Sequence, residues 1–177
     1  MAGGGFKLSM SVAGEEQLSR GFSRMADEFS DYSEPFKQVA DLLKEVETKQ
    51  FESEGSYGGS GWQPLSPSYA VYKAARYGSK PIMVISGLLK ESLTGDNPYN
   101  VEKIEPLRLE FGSTVPYGIY HQTGTSKMPQ RKLINLNEND KKRITKTIQQ
   151  WMVQQIDKKM ATFMPTITAA ESHVGKI

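Results

Sequence analysis

The stretch YGIYHQTGTSKMPQRKL, residues 117–133, gathers side chains that can do chemistry. His121 stands four residues after Tyr117 and beside Tyr120 and Gln122, and the chain has one further histidine. An imidazole next to phenols and a distant carboxylate is an acid–base unit. The same imidazole bonded to a backbone carbonyl is a structural corner. The rest of the sequence favours the corner. It holds no Gly-x-Ser-x-Gly elbow and no His-Glu-x-x-His zinc site. It holds no cysteine, which removes thiolate nucleophiles, zinc–thiolate sites and disulfides together. Two histidines about fifty residues apart make no metal cluster within one chain. GGGF (3–6) and GSYGGSG (55–61) are glycine-rich but lack the Gly-Lys-Ser/Thr ending of a phosphate loop, so they read as loops. No catalytic residue, metal or cofactor is implied.

Nucleic acid is a second chemical reading. Lys127, Arg131 and Lys132 follow the aromatic cluster, and Lys141, Lys142 and Arg143 come shortly after. Basic groups beside aromatics can hold a phosphate backbone and stack bases. No motif of an established nucleic-acid module accompanies them. Sequence-independent contact with a passing duplex needs only basic groups facing phosphates, and residues 127–146 supply them.

These residues sit in a chain of 177, enough for a real core in one domain. The expected organisation is a domain over 1–160, with a flexible glycine-rich loop at 52–61, and a C-terminal arm over 161–177. The N-terminus lacks the apolar stretch of a signal peptide, and no apolar run is long enough for a transmembrane helix. A soluble, intracellular setting during synthesis and no membrane contact are the expectations. Charge is nearly balanced at +2 overall but uneven along the chain. Residues 15–54 carry five basic against eleven acidic side chains; residues 127–159 carry nine basic against three acidic. Such runs are solvated helix faces, or the two ends of a head-to-tail contact.

Periodicity places the elements. Phe6, Leu8, Met10 and Val12 alternate as a half-buried strand. Leu18, Phe22, Met25 and Phe29 recur at helical spacing, and Phe36, Val39, Ala40, Leu43 and Val46 form a second stripe, with Ser33 as its cap and Pro35 in the first turn. Ser66 and Pro67 start a short helix that ends at Gly78. PIMVIS (81–86) is either a buried strand or an extended lead-in to the helical turns of GLLKESL, which Gly95 stops. YNVEKIEPLRLEFGS reads as a hairpin with Pro106 near its turn. A long helix follows, capped by Asn137 or Asn139, with Ile144, Ile148, Trp151 or Met152, Ile156, Met160 and Phe163 as its stripe and Pro165 as its end. Trp151 reads as core; Trp62 anchors its loop either to the body or to a neighbouring subunit. The fold class is α+β: a small antiparallel β-sheet packed against helices, with a long C-terminal helix.

Four fragments, in this order, carry a resemblance. GWQPLSPSYAVYK (61–73) resembles a Trp-x-Pro-Leu-Ser segment followed by a Lys. ISGLLKESL (85–93) resembles Ser/Thr-Gly-x-Leu-x-x-Ser-Leu/Ile. YGIYHQTG (117–124) resembles Tyr-Ala-x-x-His-Gln-x-Gly, and MPQRKLINL (128–136) a hydrophobic-Pro-x-Arg-x-x-Leu segment. Together they look like the tailed-phage virion morphogenesis family, also described as tail completion or neck proteins. The match spans about residues 50–150. Gly118 stands where the family often has Ala, Thr123 where an aromatic is common, and Lys132-Leu133 in place of a Pro-Phe pair.

The resemblance implies a structural, non-enzymatic component of the virion neck or tail top. It implies a homo-oligomeric ring, hexameric by expectation, that completes the tail and joins it to the DNA-filled head. Head–tail connector and tail tube or terminator proteins are its implied partners, with incidental contact to genomic DNA, and the host cytoplasm is its place during assembly. A tail-tube terminator is the alternative within the same class, a DNA-binding protein the alternative outside it. The motif residues Trp62, Gly87, Tyr117, His121, Gln122, Gly124, Pro129 and Arg131 then take structural roles. Gly87 opens a turn, and Tyr117 and His121 share a face whose polar tips close the corner. Gly124 stops that turn, and Pro129 stiffens the TSKMPQ loop. Arg131 offers a planar fork to a carboxylate of its own or an adjacent subunit, or to DNA.

Overall fold

The computed structural model describes residues 29–95 and 97–171, with side chains through 161. Contacts divide the chain into two compact units, residues 31–152 and, as the other, residues 1–30 with 153–177. The strand over 6–12 and the helix from Leu18 onward lie outside the described residues.

Helix α1 runs Ser33–Glu52. Asp31 Oδ1 accepts the Ser33 N–H at 2.8 Å, so Ser33 is the first helical residue rather than the cap expected of it. Pro35 is buried in the first turn, and Val39, Ala40, Val46 and Phe51 are buried along one stripe. Glu47 and Gln50 are buried with them.

The glycine-rich stretch after α1 makes several hydrogen bonds to the body. The Gly55 N–H donates to the Gln50 carbonyl at 2.8 Å, and the Gly58 N–H to Gln50 Oε1 at 2.9 Å. Asn135 Nδ2 donates to the Gly58 carbonyl at 2.6 Å. Gly55 has φ +87°, and a Cβ there would stand 2.4 Å from Trp62 Cδ1, so glycine is what lets the indole close over the loop.

Helix α2, Pro67–Tyr77, starts with Ser66 at the N-cap and Pro67 at the first helical position and ends at Gly78. Its burial is inverted. Lys73 is its one buried residue, while Val71 and Tyr72 are 71% and 54% exposed. The PIMVIS segment then forms turns and no strand; Met83 at φ +68° interrupts any extended run. Gly87, φ +93°, precedes helix α3, Leu88–Thr94, which stops at Gly95.

Strands β1 (Asn100–Glu105) and β2 (Arg108–Ser113) pair antiparallel, with Asn100 opposite Ser113 and Glu105 opposite Arg108. Pro106 sits in the two-residue turn, where its missing N–H leaves the ladder intact. Its carbonyl accepts the Tyr32 N–H at 2.7 Å. Helices α1 and α3 both pack on the hairpin. The Ser92 and Ser113 hydroxyls share a 2.6 Å hydrogen bond between α3 and β2. The core gathers Phe51, Trp62, Leu89, Leu93, Val115 and Leu133. Phe51 and Trp62 meet edge-to-face at 5.3 Å. Burying each of the large apolar side chains contributes roughly 1.5–3 kcal/mol.

Helix α4 is short, Gly118–Thr123, and α5 runs Glu138–Glu171. Asn137, not Asn139, caps α5. Its Oδ1 accepts the Asp140 N–H at 3.0 Å, and Asp140 Oδ2 accepts the Asn137 N–H at 3.2 Å, a reciprocal capping box. Trp151 is buried and packs on Tyr32, ring centroids 5.0 Å apart. Further along, Ile156 and Met160 are exposed. The helix does not end at Pro165 as expected but continues to Glu171. A proline deletes one ladder hydrogen bond, which interrupts a helix without obliging it to stop. The architecture is α+β.

Candidate functional site

The corner 117–134 is closed by Gln122. Its Oε1 accepts the Leu133 N–H at 2.7 Å and the Ile134 N–H at 3.1 Å, and its Nε2 donates to the Ile134 carbonyl at 3.1 Å. One side chain thus imitates a strand edge for the segment that follows. The expected closure by the tips of Tyr117 and His121 does not occur. Tyr117 meets the His121 ring edge-to-face at 6.3 Å, and His121 Nδ1 is buried without a hydrogen-bond partner among the described residues. Desolvation, and secondarily the Arg131 charge, push the imidazole below its ordinary pKa, so it is neutral at neutral pH. His121 contributes its backbone: its carbonyl accepts the Arg131 N–H at 2.8 Å.

Gly124 has φ +75°, and a Cβ there would lie 2.9 Å from the Gln130 nitrogen. The returning strand of the corner passes too close for any side chain. Thr125 and Met128 bridge antiparallel, which turns the chain before Pro129. Gly118 is buried, and a Cβ there would be 3.2 Å from Leu89 Cδ1.

Arg131 is buried, and within its own chain its fork meets carbonyls rather than a carboxylate. Nε donates to the Gln63 carbonyl at 2.7 Å and Nη2 to the Pro64 carbonyl at 3.1 Å. Trp62 works beside it. The indole N–H donates to the Lys132 carbonyl at 2.8 Å, and Gln50 Nε2 reaches the same oxygen at 3.2 Å. The indole is therefore engaged within its own chain. The first and last fragments of the motif set, 61–73 and 128–136, are one hydrogen-bonded unit.

Six predicted residues come together around a cleft of about 620 Å³: Gly87, Tyr117, His121, Lys127, Pro129 and Arg131. Trp62, Gln122 and Gly124 support it from outside its lining. The cleft also takes residues to which the sequence assigned no role. Lys73 is buried, and its Nζ donates to the Lys80 and Pro81 carbonyls. Met83 forms part of the wall at its positive φ, a conformation that costs a non-glycine residue roughly 1–2 kcal/mol. A Lys in the sequence WQPLSPSYAVYK was the one available signal for the first; nothing in PIMVIS signals the second.

The basic residues outside the cleft are dispersed. Lys132 and Lys142 are exposed, Lys141 Nζ pairs with Glu138 at 2.7 Å, and Arg143 Nη2 is held by Glu45 at 2.8 Å. The Arg143 and Lys49 hydrogen bonds hold the Glu45 carboxyl down at about 2. Arg143 is thus already engaged with a carboxylate. Among the described residues no group of His, Asp and Glu is placed to hold a metal, and no helix is long and apolar enough to cross a membrane.

Comparison with known proteins gives two matches. Residues 14–153 match the phage virion morphogenesis family. The Mu-like prophage FluMu G protein 1 of Haemophilus influenzae (strain ATCC 51907 / DSM 11121 / KW20 / Rd) is 30% identical over 105 residues, spanning 58% of this chain and 67% of that protein. No solved structure matches.

Proposed function

The chain belongs to the phage virion morphogenesis family, and from that premise we propose that it is a structural, non-enzymatic part of the virion neck or tail top. Copies assemble into a ring, six-fold by expectation, that completes the tail and joins it to the DNA-filled head. The observation that carries the assembly reading is the inverted helix α2. Tyr69, Val71, Tyr72 and Tyr77 are all exposed while Lys73 is its buried residue. An aromatic surface of this kind is what a subunit interface covers.

Native mass spectrometry of the purified chain and electron microscopy of particles test this. The expected results are closed oligomers and a particle stalled at head–tail joining when the gene is deleted. A strict monomer that is absent from purified particles overturns it.

A further inference from the structure

Resting on the reading of this chain as an assembling virion component, we propose that the cleft between α2 and the corner receives a carboxylate from α1 of a second copy of this chain. The cleft is lined by Lys73, Lys127, His121 and Arg131 and, among the described residues, by no Asp or Glu. Arg131 and Lys73 spend hydrogen bonds on carbonyls, which orient their charges without neutralising them. Neither makes an ion pair among the described residues, and Lys73 feels the Glu54 carboxylate only through space. The missing half of each pair is an anion from outside.

The walls say which kind. Met83, Leu88 and Met128 line the cleft, and Tyr69 and Tyr117 stand at 41% and 42% exposure beside it. Duplex phosphates gain from open rows of lysines. A concave site with a thioether and leucine wall and an arginine at its base suits a protein side chain, with the Tyr, Met and Arg composition of an interface centre.

The source follows from charge. Helix α1 presents Asp41 and Glu52, both exposed and without an ion pair among the described residues. No residue of α1 lines the cleft. A basic recess and an acidic helix face at different places on one chain are the two halves of a heterologous contact, the kind that closes into a ring.

Charge reversal tests the pairing in the full chain. Lys127→Glu, and separately the double variant Asp41→Lys with Glu52→Lys, should each weaken self-association at least tenfold in sedimentation. The triple combination should restore it. The chain has no cysteine, so Lys127→Cys with Glu52→Cys should give an oxidant-dependent covalent ladder between copies. Oligomers that persist through both reversals and give no ladder overturn the cleft proposal and leave the ring reading standing. A wild-type chain that never associates overturns both.

Discussion

The side-chain carbonyl of Gln122 takes the backbone N–H of Leu133 at 2.7 Å, across eleven residues of chain. That bond, with the two that Gln122 makes to Ile134, seats Leu133 in the core. Gln122→Ala removes three hydrogen bonds and leaves a part-buried N–H unmet, so it should cost roughly 2–4 kcal/mol. Gln122→Glu keeps the acceptor and loses the donor, and should recover part of that. Urea unfolding followed by tryptophan fluorescence checks both; a Gln122→Ala variant as stable as wild type would show that the corner closes without it.

Glu47 gives the fold a pH dependence. It is fully buried, neither carboxylate oxygen has a partner among the described residues, and desolvation lifts its pKa from 4.5 to about 8. Between those values the folded chain holds a proton that the unfolded chain has released. Stability therefore falls as pH rises from about 4.5 and levels off above about 8, with a slope near 1.4 kcal/mol per pH unit from this group. Glu47→Gln should flatten that slope, as measured by denaturation midpoints at pH 5, 6, 7 and 8. An unchanged slope would assign the dependence elsewhere.

Two turn glycines should not be equivalent. Gly87 sits in the left-handed region, and the atoms a Cβ would meet belong to the flexible Glu91 carboxyl. Gly87→Asn should cost about 1 kcal/mol or less. Gly124 combines φ +75° and ψ 172° with a backbone neighbour at 2.9 Å. Gly124→Ala should cost roughly 3 kcal/mol, strain plus displacement of Gln130. Thermal melts of the two variants rank them.

Tyr57→Phe tests the α5 cap. The phenol donates to Asp140 Oδ1 at 2.7 Å, and Asp140 is fully buried. Without that donor the carboxylate is partly unpaired, at a cost of roughly 1–3 kcal/mol. Hydrogen exchange of the first turn of α5 should rise with it, and Asp140→Ala, which also opens the capping box, should raise it further.

Local signals were readable and distant ones were not. Ser66-Pro67 and Gly78 delimit α2, Pro106 marks the hairpin turn, and Asn137 caps α5, because each acts on its own few residues. Those boundaries do not say which face of α2 is covered, and its Tyr69, Val71 and Tyr72 are exposed. The ties of the loop 52–61 were not legible because they come from Asn135 and Asp140, about eighty positions away. The carbonyl acceptors of Arg131 within its own chain were not legible because they lie 67 and 68 residues earlier. His121 drew attention by type, while its neighbour Gln122 holds the corner.

The carbonyl of Lys132, which receives both the Gln50 amide and the Trp62 indole, also dates the fold. Those donors leave the ribosome 82 and 70 residues before their acceptor. At synthesis rates of roughly 5–20 residues per second, Gln50 waits about 4–16 s for it. During that interval Phe51 and Trp62 have no Leu133 to close over them. The nascent chain therefore lacks one wall of its core until residues 63–133 have been added and the corner arrives.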